Sequence, residues 1–119
     1  MAQTKYRGGQ LGNEFTAALT LTQSSGTVNI DWYTSQIFNF TATENITLNM
    51  QNVITGITKL IVATGEGQNN TLTLNIEGSA GTFNHLGGDY DDTAGTKNLI
   101  QVTAVDNTEF WYTISQIQT

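Results

Sequence analysis

The chain has 119 residues, no cysteine, no proline and a formal net charge of −6. That length suits one domain with a real core, and the missing cysteine removes disulfides, zinc–thiolate centres and thiol nucleophiles. Only 12% of residues are charged, and the acidic balance lacks the basic footprint that nucleic-acid binding requires.

Residues 1–14 read as an extended arm. Gly8, Gly9 and Gly12 interrupt them and no periodicity is present. Lys5 and Arg7 are half of the four basic residues, while ten acids face only Lys59 and Lys97 from Gly8 onward. A frayed terminus and an anchor that orders on a neighbouring subunit both fit. In the second reading Lys5, Tyr6, Arg7 and Leu11 form the anchor, with two cations for carboxylates and two apolar groups to bury.

The body, residues 15–119, is a series of strands. Phe15, Ala17, Leu19 and Leu21 alternate with smaller and polar residues, and Gln23-Ser24-Ser25-Gly26 turns the chain. Val28, Ile30 and Trp32 then alternate with Thr27, Asn29 and Asp31. Phe38, Phe40 and Ala42 follow in the same way, and so do Ile46, Leu48 and Met50. Period-two alternation buries one face and wets the other, the pattern of a half-buried antiparallel strand. Ile57 to Ala63 includes the unbroken run Leu60-Ile61-Val62. Such a run predicts a strand covered on both faces, either central or beneath a subunit contact. Leu72, Leu74 and Ile76 mark another strand. Leu99–Val105 and Glu109–Ile117 are the last two, joined by an Asp106-Asn107 hairpin turn. Between Ile76 and Leu99, the stretch Glu77 to Asn98 reads as a long irregular segment, rich in Gly and Asp. About eight strands at roughly ten-residue spacing predict an all-β fold, a single antiparallel β-sandwich of jelly-roll-like type. No internal repeat is evident.

The block Gly26-Thr-Val-Asn-Ile-Asp-Trp32, its short polar turn, the Phe-rich strand and Asn45-Ile-Thr-Leu48 resemble a β-domain of tailed-bacteriophage virion exteriors, found in head fibres, decoration proteins and tail-fibre segments. The resemblance continues through Lys59-Leu-Ile-Val62 and Leu99-Ile-Gln-Val102. It closes on Asp106-Asn-Thr-Glu-Phe-Trp-Tyr112, similar to that family's Asp-Gly-Thr-x-Trp-Tyr hairpin, and so covers about residues 26–114. The chain departs from the family in lacking a Trp-Pro segment, having no proline. The resemblance implies a structural virion protein on the capsid exterior, a decoration (cement) protein or head fibre, with a trimer favoured. The partner would be the major capsid protein or another virion protein. The alternative is a receptor- or carbohydrate-binding module of a tail fibre or baseplate, whose ligand would be a host surface glycan.

Catalysis finds little support. His85 is the single histidine. Ser24, Ser25, Ser35, Ser79 and Ser115 lack a nucleophile-elbow context, and no spacing favours a Ser79–His85 pair. Asp89, Asp91 and Asp92 lie on one stretch, whereas a glycosidase pair must be held across a cleft. The same cluster has the hard oxygen ligands calcium takes, but it fails the EF-hand pattern: Ala94 stands where Gly is needed and Ile100 where the bidentate Glu would be. No catalytic residue, metal or other cofactor is expected. Strand alternation turns Trp32 and Tyr112 inward and leaves Tyr33 and Trp111 outward as an exposed aromatic interface. The uncharged strand faces, built from Thr, Asn, Gln and Ser, suit pairing with other copies, hence a homo-oligomer. No apolar run is long enough to span a bilayer and the N-terminus lacks a secretory apolar region. The expected location is the virion exterior, after a soluble stage in the host cytoplasm, with no membrane or nucleic-acid partner.

Overall fold

The computed structural model describes residues 18–117. Within them are nine strands: β1 (Leu19–Thr20), β2 (Thr27–Asp31), β3 (Ile37–Thr41), β4 (Ile46–Gln51), β5 (Thr58–Thr64), β6 (Leu72–Ile76), β7 (Thr82–Gly87), β8 (Lys97–Ala104) and β9 (Glu109–Gln116). The arm with Lys5, Tyr6, Arg7 and Leu11 lies outside the described residues, as do Phe15 and Ala17 of the expected first strand.

The strands do not form the expected antiparallel sandwich. From β1 to β6 successive strands alternate between two sheets, and from β3 onward each stacks parallel on the strand one coil earlier. One sheet runs β2-β4-β6 and the other β1-β3-β5-β8-β9-β7. The pairings β1–β3, β3–β5, β2–β4 and β4–β6 are all parallel. This is a β-solenoid. The correction has a plain cause: alternation states which face is buried and is silent on the direction of the neighbouring strand. Parallel neighbours need a crossover of a dozen residues or more. Here the crossover is the strand of the opposite sheet with its two corners.

The coils do contain a repeat. Thr27-Val-Asn-Ile30, Thr47-Leu-Asn-Met50 and Thr73-Leu-Asn-Ile76 are in register, threonine on threonine and asparagine on asparagine. Val28, Ile30, Leu48 and Met50 point inward and are fully buried. They meet Phe38, Phe40, Ile61 and Ala63 of the other sheet in a single core. The stacked asparagines bond along the ladder: Asn49 Nδ2 donates to Asn29 Oδ1 (3.0 Å), and Asn49 Oδ1 accepts the Gly78 N–H (2.8 Å). At one corner the Gln23 amide donates to the Gly26, Glu44 and Asn45 carbonyls and accepts the Thr43 N–H, joining two coils.

The C-terminal part closes the larger sheet differently. β8 pairs antiparallel with β5 and with β9, and β7 lies parallel to β9 at the far edge. β5 is therefore central, one of the two placements its apolar run allowed, but it is not covered on both faces. Its inward positions Lys59, Ile61 and Ala63 are buried, while Leu60 and Val62 on the outer face are half-buried. Lys59 is 2% exposed, and its Nζ donates to the Ser35 carbonyl (2.6 Å) and Gln36 Oε1 (3.2 Å). Phe83 of β7 stacks on Phe110 (centroids 4.5 Å apart), and Phe110 meets Trp32 edge-on at 6.1 Å. Trp32 Nε1 in turn reaches Met50 Sδ at 3.4 Å. Burying such a side chain stabilises a fold by about 1.5–3 kcal/mol. This aromatic line ties the first coil to the last hairpin.

Candidate functional site

The segment read as an irregular acidic loop is built into the fold at one end of the coils. Its first part, from Thr82 to Gly87, is β7. Its second part is held by two buried polar side chains. Asn98 is fully buried; its amide donates to the Ala63 and Asp91 carbonyls and accepts from the Asp91 N–H and Gln116 Nε2. Asp92 is 8% exposed, and its carboxylate accepts the N–H groups of Glu66, Gln68 and Asn70, together with the Tyr90 hydroxyl at 2.6 Å. Burial alone would push the Asp92 pKa up, but these donors outweigh it and hold the carboxyl well below its ordinary range. The Tyr90 phenol is pushed up, first by burial and then by its bond to Asp92 and the nearby carboxylates. The chain passes so tightly here that a Cβ on Gly65 would sit 2.5 Å from the Thr93 carbonyl oxygen.

Asp92 is thus a staple between the 65–70 and 89–92 segments, and its lone pairs face protein donors. Asp91 accepts the Thr93 N–H in a local turn. Among the described residues, no three His, Cys, Asp or Glu side chains converge as a metal would require. His85 stacks face to face on Tyr112 at 4.7 Å, and its Nε2 lies against the Gly88 carbonyl. Ser79 closes the turn after β6 through paired backbone bonds with Ile76.

Of the shallow cavities at this end, two adjoin each other. One of about 560 Å³ is lined by Asn69, Asn70, Asp89, Tyr90 and Gln116 among others. The other, about 300 Å³, shares Asn70, Asp89 and Tyr90 with it and adds His85 and Tyr112. The sequence does not reveal this groove, because the β7 stretch lacks the alternation that marks a strand. The one signal was the trio Phe83, His85 and Tyr90, rings set in an otherwise Gly- and Asp-rich stretch.

The outward aromatics lie elsewhere. Tyr33, in the turn after β2, is 63% exposed, while its neighbour Trp32 is 1% exposed. Trp111 of β9 is 46% exposed and Tyr112 beside it is half-buried. The sheet order places β9 three strands from β3, where the Tyr33 turn leads, so the two rings stand on separate regions. Trp111 borders a groove of about 300 Å³ with Leu86, Val105 and Thr103 on the outer face of the larger sheet. Its Nε1 donates to Glu109 Oε2 at 3.3 Å.

Compared with known proteins, the chain matches no family model, no curated protein and no solved structure.

Proposed function

We propose that the chain is a non-enzymatic structural protein of a tailed-phage virion, attached to the capsid exterior as a decoration protein or head fibre. The resemblance over residues 26–114 supports this reading. The observation that carries it is the use made of the acidic groups. Asp31, Glu66, Glu77, Asp91, Asp92, Asp106 and Glu109 each accept hydrogen bonds from nearby backbone or side-chain donors. Carboxylates bonded in this way fix turns and coil ends. They build a rigid scaffold with Thr, Asn, Gln and aliphatic groups on its outer faces, suited to lie against other protein. The arm, through Lys5, Tyr6, Arg7 and Leu11, is the proposed attachment to the major capsid protein or another virion protein.

The alternative, a carbohydrate-binding module, is favoured by the groove of Tyr90, Tyr112 and His85 beside Asp89. Aromatic faces next to a carboxylate are the groups that hold sugar rings and hydroxyls. The gene should lie among virion genes, and an antibody to the chain should label the heads of purified particles. Label at the tail tip would favour the alternative, and particles without the chain would sink both. Deleting residues 2–12 should leave the circular dichroism spectrum unchanged and abolish particle binding. Full occupancy by the truncated chain would move the attachment onto the β-solenoid itself.

A further inference from the structure

We propose that the outer face of the larger sheet is a two-fold interface with a second copy of the chain, in which Lys97 of each copy meets Glu109 and Trp111 of the other. This goes beyond the virion assignment and does not depend on it.

The outward positions of β3, β5, β8 and β9 can be read from the alternation of buried residues and the strand registers. They form cross-strand rows. Thr58, Thr103 and Trp111 make one; Ile37, Leu60, Gln101 and Thr113 the next; Asn39, Val62, Leu99 and Ser115 the third. None of these residues is charged. Ile37 and Trp111 are exposed, and Leu60, Val62 and Leu99 are half-buried. At strand spacings of about 4.8 Å and about 3.3 Å per residue, the face measures roughly 20 by 24 Å. That flat area, near 500 Å² before side-chain relief, falls in the range of a weak dimer rather than an obligate one.

Among the described residues, the charged side chains at the outward positions of these strands are Lys97 and Glu109, of opposite sign and at opposite ends of the face, with Asp91 lining a cavity beside Lys97. Lys97 begins β8, paired with Thr64. Glu109 begins β9 at the other end, where its carboxylate holds Asn84 Nδ2 and Trp111 Nε1. The Gln101 row lies midway between them. A two-fold axis along that row reverses the strands of the second copy. Each Lys97 then arrives beside a carboxylate and an indole face, favourable by charge and by cation–π attraction, and the Leu99 row meets the Trp111 row. Three copies around an axis parallel to the strands would instead gather lysine with lysine and glutamate with glutamate. The charge layout therefore favours two-fold packing over the trimer that the resemblance implied.

The chain has no cysteine, so single-cysteine variants are clean probes. Sedimentation of the intact protein at about 100 µM should give a two-subunit mass that falls on dilution, as a weak interface requires. A mixture of Lys97→Cys and Glu109→Cys chains with a short bismaleimide should cross-link 97 to 109 about tenfold more than 97 to 97. Lys97→Glu and Glu109→Lys should each weaken association, and the double reversal in one chain should restore it. A 12.9 kDa species at every concentration, a three-subunit mass, or dominant 97-to-97 cross-links would each overturn the proposal.

Discussion

The Asp92 carboxylate accepts bonds from Glu66, Gln68, Asn70 and Tyr90, and protonating it strains all four at once. Its folded pKa lies below the ordinary value near 3.9. A depressed carboxyl pKa means that the unfolded chain binds the proton first as the pH falls. Its stabilisation is therefore complete above about pH 5 and is lost progressively as the pH drops through the folded pKa. Asp92→Asn should cost at least about 2 kcal/mol at neutral pH, because an amide turns hydrogens toward some of those donors. Urea melts at neutral pH and near pH 3 should then differ less for the variant than for the parent. Identical acid slopes would show that Asp92 is not the group responsible. Gly88 makes a second demand of this kind. Its φ is +77°, and a Cβ there would collide with the Ile114 carbonyl. Gly88→Ala should therefore release β7 from β9, costing about 2 kcal/mol or more, since the left-handed strain adds to the clash. Hydrogen exchange at Phe83 and His85 would rise well before that of β5. Unchanged protection of β7 would contradict this.

Among the elements, the asparagine ladder sets the register of the β2-β4-β6 sheet. Asn49 is its middle rung, bonded to Asn29 on one side and to the Gly78 N–H on the other. Asn49→Ala should cost about 1–2 kcal/mol, two net hydrogen bonds at a half-exposed site. Asn49→Leu should cost at least as much despite its greater strand propensity. If chemical denaturation ranks the leucine variant above the parent, the ladder is decoration. The same ladder explains what could be read from the sequence. Alternation located β2, β3, β4, β6, β8 and β9 to within a residue or two, because it reports burial. It also separated buried Trp32 from exposed Tyr33 and Trp111. Partner direction was hidden, since the coils recur at unequal intervals: Thr27 to Thr47 is 20 residues and Thr47 to Thr73 is 26. The longer interval absorbs the 65–70 loop stapled by Asp92, so a search for a fixed period passes over it. β7 was hidden because its edge position leaves most of its side chains exposed, which erases the alternation. The groove beside it was illegible for the same reason.

For the molecule as a whole, stacked coils would ordinarily unfold piecemeal, each held only by its neighbours. Here Trp32 of the first coil contacts Phe110 of the last strand, which stacks on Phe83. Unfolding should therefore be a single transition. Tryptophan fluorescence, reporting Trp32 and Trp111, and far-ultraviolet circular dichroism should give superimposable urea curves. Two separated midpoints would mean that the coils and the hairpin are independent.

The strand order also has a consequence for how the protein is made. A ribosome delivers β1 to β6 in the order in which they stack, so each coil finds its template already in place. The next three strands break that order. β7 emerges before β9, its partner among the described strands, and the open edge of β5 waits for β8 while β6 and β7 are still being translated. The nascent chain therefore carries an unsatisfied β5 edge and a partnerless β7 until its last strand is released. Synthesis that stalls between residues 88 and 97 would leave that edge as the surface most prone to capture by another chain.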